Sequence, residues 1–356
     1  MRILVLNWKD ERHPAAGGAE VFVHEVTDRW AAGGHEVRLV VAHVEGAPSY
    51  EVRPSGVAVR RSGGRFSVYR AARRHVLGEG AAWADVVLDS INTRPFLTPR
   101  WCPTPCVGLP YQVCREIWFD EMPLPIAVLG RWVLEPLWLR SYRGSPVVTI
   151  SDSSRDSLGS YGIDNATVVR MGANVVDPGH VEKADVPTIA FVGRLSANKR
   201  PADAVEAFTL VRRSLPSARL LVIGDGPLRA MLEASAPEGA TFLGRVSEID
   251  KSRLVASAHV LAVPSRREGW GLVVTEASAL GTPSIAYDVD GLRDSVKASG
   301  QGSLVAATPT ALAAGLLRQL GSREPARRTA LPSWDDTAND LLAVLRSAAS
   351  QAGVAA

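Results

Sequence analysis

Short apolar runs alternate along this chain with longer segments in which apolar residues recur at helical spacing. The runs are three to six residues long and rich in valine, isoleucine and leucine. This alternation is typical of parallel strands joined by crossover helices, so the predicted fold class is α/β. The predicted strands are 3–6, 37–42, 86–88, 107–109, 147–150, 188–192, 220–223, 241–243, 260–263, 284–286 and 303–305, and the predicted helices are 19–32, 201–214, 227–234 and 274–280.

The length of the chain predicts two domains. A chain of 356 residues is longer than one ordinary hydrophobic core requires. Between residues 171 and 187 the sequence becomes polar and rich in glycine and proline, which places the boundary there. We expect two doubly wound halves of similar size, 1–172 and 188–332, joined by a linker at 173–187.

Composition and charge narrow the class of protein. Apolar residues make up 46% of the chain and charged residues 22%, as in soluble globular proteins. The net charge of +3 is too small for a nucleic-acid binder. The first apolar run is short and no small-residue cleavage site follows it, so we expect a strand there and not a signal peptide. The chain has no uninterrupted run of about 18 apolar residues, so we expect no membrane-spanning helix.

The three cysteines, Cys102, Cys106 and Cys114, lie close together in the sequence. A zinc site needs paired Cys-x-x-Cys spacing and a fourth ligand, and this segment offers neither. We therefore expect free thiols in a cytoplasmic protein.

The segment 264–277 is the most informative part of the chain. The apolar strand at 260–263 runs into a proline-serine turn, then into a glycine-rich corner that carries Glu268, and then into a helix that carries Glu276. Glycines let backbone N–H groups approach an anion, and a helix N-terminus favours negative charge. The pattern indicates an anion site with a carboxylate on each side, suited to the hydroxyls of a nucleotide sugar. The alternative is an ordinary corner with an acid near a helix start.

Other turns in the second half also place glycines and charged residues at the ends of strands. Arg194 and Lys199 flank the turn that begins at Gly193. A guanidinium and an ammonium at the carboxyl end of a strand suit a diphosphate, although a solvated basic turn is the alternative. Gly224 opens a tight glycine turn after the next strand, and at 242–245 the exposed backbone of a strand end can pair with a base.

Two further segments of the first half attract attention. Gly17 and Gly18 open a helix after the first strand, and such a loop either approaches a phosphate or is a tight connection. The chain lacks the G-x-x-x-x-G-K-[ST] motif, which argues against a P-loop NTPase. Residues 52–78 contain seven arginines and no acid, a pattern typical of a solvated face and also suited to an anionic membrane or acceptor. These arginines are Arg53, Arg60, Arg61, Arg65, Arg70, Arg73 and Arg74.

Three tryptophans lie among leucine, isoleucine and valine between 118 and 138. Trp118, Trp132 and Trp138 predict either an apolar wall for an acceptor or part of the domain core, and core is the usual place for such residues.

Taken together, these segments resemble glycosyltransferase family 4, the retaining nucleotide-sugar transferases of GT-B fold. The resemblance covers nearly the whole chain, and it is the order and spacing of the segments that make it specific. It implies two doubly wound Rossmann-like domains facing across a cleft. It also implies a C-terminal segment, 333–356, whose helix at roughly 337–347 crosses back to the first domain. The matching residues are Gly17-Gly18-Ala19-Glu20, Gly193-Arg194-Leu195 with Lys199, Gly224-Asp225-Gly226-Pro227, Phe242-Leu243-Gly244, Pro264-Ser265 through Glu276-Ala277, Ala279-Leu280-Gly281-Thr282-Pro283 and Gly291-Leu292.

The resemblance assigns roles to individual residues. Arg194 and Lys199 are expected to bind the donor diphosphate, and Glu276 the ribose hydroxyls. Glu268 is expected to face the transferred sugar, so that Arg194, Lys199 and Glu268 are the expected catalytic residues. The expected donor-binding residues are Gly17, Gly18, Gly193, Arg194, Lys199, Gly224, Phe242, Leu243, Arg245, Glu268, Gly269, Trp270, Gly271, Leu272 and Glu276.

One position departs from the pattern of the family. Many relatives place a histidine facing the reacting sugar in a stretch similar to 111–118, where this chain has Tyr111 and Gln112. Gln112 is able to hydrogen-bond a sugar hydroxyl but cannot act as a general base. Tyr111, Gln112 and Arg115 are the acceptor-side candidates.

The implied function is that of a hexosyltransferase-type enzyme. It would move a sugar from a UDP- or GDP-sugar to an acceptor hydroxyl with retention, in bacterial cell-envelope glycoconjugate or natural-product biosynthesis. The alternatives are a nucleotide-sugar epimerase or a sugar phosphorylase of the same fold, and a non-catalytic nucleotide-sugar-binding protein.

No metal or cofactor is expected. Asp288-Val-Asp290 imitates the metal-binding motif of a different transferase fold, and we interpret this likeness as coincidence. The expected location is cytoplasmic, with peripheral membrane contact through the arginine run at 53–74 as an alternative.

Overall fold

A computed structural model of the chain describes residues 1–14, 16–322, 327–330 and 332–354. The chain divides into two compact units. Unit 1 comprises Met1–Trp118, Leu124–Gly172 and Pro332–Ala356, and unit 2 comprises Phe119–Pro123 and Ala173–Leu331. Residues 331, 355 and 356, which fall at the ends of the predicted segments 188–332 and 333–356, lie outside the described residues.

Fourteen strands are found in the described residues. They are β1 (Arg2–Leu6), β2 (Glu36–Val41), β3 (Tyr50–Val52), β4 (Ala58–Arg61), β5 (Val86–Ile91), β6 (Cys106–Pro110), β7 (Val148–Thr149), β8 (Thr167–Val168), β9 (Thr188–Val192), β10 (Arg219–Ile223), β11 (Ala240–Gly244), β12 (Val260–Val263), β13 (Ser284–Tyr287) and β14 (Gly302–Val305).

The described part of the chain also contains helices of very different lengths. The α-helices are α1 (Gly18–Ala32), α2 (Val68–His75), α3 (Ala81–Trp83), α4 (Ile117–Glu121), α5 (Leu124–Leu129), α6 (Glu135–Leu139), α7 (Asp152–Gly159), α8 (Pro201–Ser214), α9 (Arg229–Ser235), α10 (Glu248–Ser257), α11 (Leu272–Ala279), α12 (Leu292–Ser299), α13 (Pro309–Leu320) and α14 (Trp334–Val354). Two π-helical segments, Val76–Gly80 and Gly130–Leu134, connect α2 to α3 and α5 to α6.

The large sheet of unit 1 has the order β3-β4-β2-β1-β5-β6. Its strands pair in parallel, except that β3 runs antiparallel to β4. The apolar runs predicted as strands in this half are confirmed at β1, β2, β5, β6 and β7. The pattern did not predict β3 and β4, because both are short and β4 carries two arginines among its four residues.

The sheet of unit 2 has the order β11-β10-β9-β12-β13-β14, and all its strands are parallel. All six strands predicted for this half are confirmed. Numbered from the first strand of the unit, this is the order 3-2-1-4-5-6 of doubly wound nucleotide-binding domains. The order reverses between β9 and β12. We call this position the switch point, and ligands of such sheets bind there, at the carboxyl ends of the strands.

The strands are apolar because helices cover both faces of each sheet. In unit 2 one face packs under α8 and α13, where Phe208 and Leu316 are fully buried. The other face buries Val255 and Val274 from α10 and α11. Burial on both faces is what replaces the alternating pattern of a half-exposed strand by a continuous apolar run.

The last helix, α14, belongs to unit 1 and packs against α1. The indole N–H of Trp30 donates to the carbonyl of Ala338 at 2.8 Å. The rings of Phe22 and Trp334 meet edge to face with their centroids 5.9 Å apart.

The segment 173–187 is irregular, and its residues belong to unit 2. The Lys183 ammonium fixes it there by donating to the carbonyls of Ala258 at 2.6 Å and Gly281 at 3.1 Å, and to the hydroxyl of Thr282 at 2.9 Å. Burial lowers the pKa of Lys183 to about 8. The segment predicted as a linker is therefore anchored to the second half of the chain.

Candidate functional site

The switch point of unit 2 is built by glycine turns that pack directly on one another. The N–H of Gly193, after β9, donates to the carbonyl of Ile223 at 3.0 Å. Gly224 follows with φ +131°, and a Cβ at Gly224 would lie 2.0 Å from the carbonyl oxygen of Gly193. Only glycine fits there, so Gly224 holds the two turns at the distance that brings their exposed edges together.

The turn after β9 is joined to the loop after β12 by an ion pair. The Lys199 ammonium contacts the Glu268 carboxylate, and the Arg266 N–H donates to the carbonyl of Asn198 at 2.8 Å. Both charged side chains are partly open to solvent, 31% for Lys199 and 14% for Glu268. Two of the predicted catalytic residues therefore lie together at the switch point, 69 positions apart in the sequence.

Arg194 lies in the same turn and is exposed. Within the described part of the chain its guanidinium makes no side-chain hydrogen bond or ion pair. A guanidinium at the carboxyl edge of a parallel sheet, with its donors unused by the protein, is available for an anion.

A second group of charged residues also fixes the loop after β12 through ion pairs. Arg267 pairs with Asp290, and Arg293 contacts both Asp288 and Asp290, the latter at 3.1 Å. The backbone N–H of Glu268 donates to the carbonyl of Asp290 at 3.2 Å. The Asp288-Val-Asp290 carboxylates thus take part in ion pairs that position the Glu268 loop.

Glu276 lies on α11, and its side chain is 18% exposed, similar to that of Glu268. Its Oε2 is 3.2 Å from the ammonium of Lys251, which also contacts Glu248 at 2.6 Å. Burial raises the pKa of Glu276, and the charge of Lys251 opposes that shift. A small pocket of about 10 Å³, about enough for one water, lies beside it and includes Asn174 and Val192 in its lining.

The helix predicted over 274–280 is confirmed as α11, which begins two residues earlier, directly after the glycine corner. Gly271 caps the helix with φ +94°, and a Cβ there would lie 2.8 Å from Leu292. Leu272 is the first helical residue, and Gly269 is half-buried in the loop before it. Trp270 is only 3% exposed, and its indole N–H donates to Thr275 at 3.0 Å.

The burial of Trp270 limits how this predicted donor-binding residue could contact a ligand. Its indole is buried, and the indole N–H is already bonded to Thr275 inside unit 2. The side chain therefore packs the corner, and what it leaves for a ligand is backbone.

The end of β11 contributes mainly apolar packing. Phe242 and Leu243 are half-buried, and they pack against opposite faces of the unit 2 sheet. Arg229 donates to the carbonyl of Phe242 at 3.3 Å. Arg245, the next charged residue, is exposed.

In unit 1 the glycine loop lies beside a buried carboxylate. The N–H of Gly17 donates to Glu20 at 2.7 Å, and Gly18 is the first residue of α1. The Lys9 ammonium lies 3.7 Å from Glu20, which is 3% exposed. Burial raises the pKa of Glu20, whereas Lys9 and the Gly17 N–H lower it. Glu20 fixes the shape of the loop at the helix N-terminus.

The strand ends of unit 1 carry a connected polar network at the equivalent switch point, between β1 and β5. Asn7 accepts from Ser90 at 3.0 Å and from Asn92 at 3.2 Å. The Tyr111 hydroxyl lies 3.1 Å from Ser90 and donates to the carbonyl of Ala19 at 3.3 Å. Burial raises the pKa of Tyr111, so its hydroxyl acts as a neutral member of the network.

The other two acceptor-side candidates, Gln112 and Arg115, lie just after Tyr111 in the chain. Gln112 is half-buried, and its Oε1 is enclosed without a hydrogen-bond partner among the described residues. Arg115 has a left-handed backbone with φ +44°. The buried Glu135 carboxylate holds that conformation by accepting the N–H groups of Cys114 at 2.6 Å and Arg115 at 3.0 Å. Strain of this kind persists where the surroundings fix it, and it is common at functional sites.

The arginine run of unit 1 is not a uniform solvated face. Arg61 is completely buried and contacts Asp10 at 2.5 Å and Glu51 at 2.6 Å. Arg53 is buried as well and pairs with Glu11 and with Asp28, the latter at 3.2 Å. The interpretation as one solvated or membrane-facing run is therefore wrong for these two residues, whose acids come from outside the run. The arginines that remain exposed are Arg60, Arg65, Arg70, Arg73 and Arg74.

Arg61→Met is expected to destabilise unit 1 strongly. Removing one partner of a buried ion pair typically costs about 3–5 kcal/mol, because the remaining charge is left uncompensated. Calorimetric unfolding should show a lowered melting temperature. The matched control is Arg70→Met, at an exposed position where substitutions usually change stability by about 0.5 kcal/mol or less. Equal melting temperatures for the two variants would contradict the buried ion pair.

The three tryptophans and three cysteines of unit 1 differ in their environments. Trp118 is buried, Trp138 is half-buried with its ring centroid 6.1 Å from that of Trp118, and Trp132 is 65% exposed. The core interpretation thus holds for Trp118 but not for Trp132. The three cysteines, all within the described residues, form no disulfide, and Cys114 is the buried one.

Sequence reasoning missed the partners that complete these sites. Lys251 neutralises Glu276 from α10, and Lys9 and Asn92 contact Glu20. A weak signal existed for Asn7, a polar residue immediately after an apolar strand. No sequence pattern marked Lys251, because its partner lies on a different helix.

Comparison with known protein families gives a match in the second half of the chain. Residues 176–330 match the family described as Glycosyl transferases group 1. The D-inositol 3-phosphate glycosyltransferase of Mycobacterium tuberculosis (strain ATCC 25618 / H37Rv) is 32% identical over 235 residues, and the match covers 57% of this chain and 48% of that protein. The Mycobacterium bovis protein of the same name matches with the same figures. The chain thus spans about half the length of the curated relatives it matches.

Solved structures resemble the chain over almost its whole length. Sucrose-phosphate synthase from Thermosynechococcus elongatus superposes with a TM-score of 0.73 at 18% identity, covering 99% of this chain and 97% of that one. Anabaena HepE, solved in complex with UDP-glucose, gives a TM-score of 0.67 at 14% identity, with 99% and 100% covered. At these identities the likeness establishes the fold. The chain has the GT-B fold, with two Rossmann-like domains, and its second half is similar in sequence to group 1 glycosyltransferases.

Proposed function

We propose that this chain is a retaining glycosyltransferase that moves a hexosyl group from a nucleoside diphosphate sugar to an acceptor hydroxyl. The observation that carries the proposal is the cluster of Arg194, Lys199 and Glu268 at the switch point of unit 2. The family match over 176–330, which contains this cluster and Glu276, supports it. The similarity to a D-inositol 3-phosphate glycosyltransferase and to a protein solved with UDP-glucose favours a UDP-sugar as donor.

The reaction requires charge stabilisation at the leaving group. The bond between the anomeric carbon and the diphosphate oxygen breaks, and the acceptor oxygen forms a new bond on the same face of the sugar. The acceptor proton passes to the departing phosphate oxygen. Arg194 and Lys199 are preorganised cations for the charge that develops on the diphosphate. The Glu268 carboxylate, held by Lys199, contacts the hydroxyls of the transferred sugar.

A protein base does not take part in this mechanism. The Tyr111 hydroxyl is buried and its pKa is raised, and Gln112 cannot accept a proton at neutral pH. His24, near the glycine loop in sequence, lies 3.8 Å from Glu11 and 3.5 Å from Asp28. The neighbouring Glu11 carboxylate raises the pKa of His24, against the opposing effect of burial, which makes the neutral form needed for a base less available than in an ordinary histidine. Proton transfer to the leaving phosphate therefore fits these surroundings best.

A donor screen followed by a product assay tests the proposal. Thermal shift with UDP, GDP, UDP-glucose and GDP-mannose identifies the nucleotide, and release of free nucleotide is then measured with candidate acceptors, inositol phosphates among them. The anomeric coupling constant of the product, measured by NMR, reports retention or inversion. Epimerised nucleotide sugar without consumption of acceptor would favour an epimerase. Binding without turnover would favour a non-catalytic role.

Activity is expected to survive chelation by EDTA. In the proposed mechanism Arg194 and Lys199 neutralise the diphosphate, and the Asp288 and Asp290 carboxylates are engaged with Arg267 and Arg293. Steady-state rates before and after dialysis against EDTA test this. Loss of activity with recovery on adding Mg²⁺ or Mn²⁺ would show that a metal replaces these cations in function.

Nucleotide affinity is expected to fall on acidification in a way that depends on Glu276. Its ionised carboxylate is the proposed acceptor for ribose hydroxyls, and burial raises its pKa. Protonation, and with it the loss of affinity, therefore begins at a higher pH than for an exposed glutamate. Calorimetric titration of UDP across pH for wild type and Glu276→Gln isolates this contribution, because the phosphate titration is common to both. Parallel pH profiles would contradict the role.

A further inference from the structure

The helical segment 124–139 of unit 1 has an unusual surface. Apart from Pro125, its exposed side chains are all large and apolar. Leu124 is 68% and Trp132 65% exposed, and five others are between 45% and 50% exposed. An exposed helix of a soluble domain normally turns a polar face to water, so this face is the reverse of the expected pattern. We call it the apolar helical face, formed by Leu124, Ile126, Val128, Leu129, Trp132, Val133 and Leu137.

The other side of this segment accounts for its place in the fold. Ala127 and Leu139 are buried, and a Cβ at Gly130 would lie 2.2 Å from the ring of Trp118. The buried Glu135 carboxylate accepts two backbone N–H groups from the loop at 114–115. The inner face therefore holds the helix in unit 1, and the outer apolar side chains add nothing to that attachment.

Two exposed acids, Glu116 and Glu121, precede the segment, whereas the exposed charges within it and just after it are positive. Between residues 124 and 143 the chain has three arginines, Arg131, Arg140 and Arg143, and one acid, the buried Glu135. The Arg131 guanidinium lies over the ring of Trp132 at 4.5 Å. Arg140 and Arg143, three and six residues beyond Leu137, are exposed. The exposed surface of this segment thus combines apolar side chains with cations only.

Length decides how such a segment can meet a lipid. Sixteen residues, 124–139, make a helix of about 24 Å, short of the roughly 30 Å hydrocarbon core. Within the described part of the chain no helix is long and apolar enough to cross a membrane. A helix with one apolar face, an exposed tryptophan and arginines at its edge is suited to lie in the plane of the interface, with its apolar side chains among the acyl chains.

We propose that the apolar helical face docks unit 1 on an anionic lipid surface. Leu129, Trp132 and Val133 insert below the headgroups, and Arg131 and Arg140 contact the phosphates. The inference does not depend on the proposed activity, because it rests on the exposure and charge of this segment alone.

Vesicle binding of the full chain tests the proposal. Sedimentation with vesicles of phosphatidylcholine mixed with phosphatidylglycerol should carry the protein down, and vesicles of pure phosphatidylcholine should carry less. Leu129→Gln/Trp132→Gln is expected to lower the partition constant at least about 10-fold, since burying one such side chain changes it by roughly that factor. The matched control is Val176→Gln/Met231→Gln, two exposed apolar residues of unit 2, which should bind like wild type.

Two further measurements separate this surface from its rivals. Brominated phosphatidylcholine in the anionic vesicles should quench part of the tryptophan fluorescence, and Trp132→Phe should remove that part. Unchanged vesicle binding in Leu129→Gln/Trp132→Gln, with binding lost in Arg70→Gln/Arg73→Gln/Arg74→Gln, would assign the contact to the arginine run instead. A wild-type dimer in sedimentation equilibrium that the face variant converts to monomer, without vesicle binding, would show that a second copy covers the face.

Discussion

Arg194→Ala and Lys199→Ala are each expected to lower kcat by about 10²–10³-fold, the usual cost of removing one preorganised donor from a developing anion. Arg194 is exposed at the switch point, and Lys199 contacts Glu268 beside it. Both charges would act on a diphosphate whose negative charge grows as the glycosidic bond breaks. The loss should therefore appear in kcat and in kcat/KM alike.

Matched controls separate this loss from a general effect of charge. Arg213 and Lys297 are exposed on other helices of the same unit, α8 and α12. Arg213→Ala and Lys297→Ala should keep normal rates. Melting temperature is needed as a second readout for Lys199→Ala, because that change leaves Glu268 without its cation. Near-normal turnover in either site variant, with its fold intact, would remove that residue from the diphosphate site.

The variants Arg194→Ala and Lys199→Ala also differ in the charged groups that lose their partner. Removing Arg194 breaks no ion pair within the described residues, so its melting temperature should match that of Arg213→Ala. Removing Lys199 frees a carboxylate that is 14% exposed, and nucleotide binding should then weaken because an uncompensated negative charge faces the diphosphate. Glu268→Gln in the Lys199→Ala background should restore part of that nucleotide affinity without restoring kcat.

The strands and the general location of the site follow from local pattern. Strands such as Thr188–Val192 and Val260–Val263 consist almost entirely of apolar residues because helices cover both faces, and that signal needs no knowledge of the rest of the chain. Parallel topology then places the residues that follow them, Arg194 and Glu268, at one edge of the sheet. The order of the strands makes that edge the switch point.

What the sequence could not predict depends on pairs that are distant along the chain. Arg61 looks like one of several solvated arginines until Asp10, 51 positions away, is seen to meet it in the interior. Lys251 and Glu276 face each other from different helices. Trp270 was predicted as a donor-binding residue, and only the fold shows that its indole N–H is bonded to Thr275, in the first turn of the following helix. Tertiary packing decides each of these.

The apolar helical face shows that sequence alone also cannot tell which apolar residues of a helix are buried and which are exposed. Segment 124–139 reads as core because its composition is core-like, and Trp132 was placed among residues for which burial is usual. Helical periodicity alone does not distinguish an inner from an outer apolar face. Gly130 against Trp118 and the Glu135 carboxylate on the 114–115 loop fix which side turns inward. The side chains on the opposite side of the segment are therefore the exposed ones.

Glu268→Gln and Glu276→Gln are expected to fail in different ways. Glu276 is half-buried against Lys251 and is the proposed partner of the ribose, away from the bond that breaks. Glu276→Gln should weaken the affinity for both donor and free nucleotide by about 10- to 100-fold, because hydrogen bonds to charged groups contribute about 1.5–3 kcal/mol. Its kcat at saturating donor should change little, since the contact is equal in ground and transition states.

Glu268→Gln should instead lower kcat by a similar factor of about 10- to 100-fold while nucleotide affinity stays nearly normal. Glu268 is the proposed partner of the transferred sugar, where contacts tighten as the ring flattens, and glutamine still accepts a hydrogen bond from Lys199. Calorimetry with free nucleotide and steady-state kinetics with the donor measure the two quantities for each variant. Glu182→Gln, an exposed glutamate of unit 2, is the control and should change neither. Equal losses of nucleotide affinity in both site variants would mean that the two carboxylates bind one part of the donor together, and the separate roles would have to be given up.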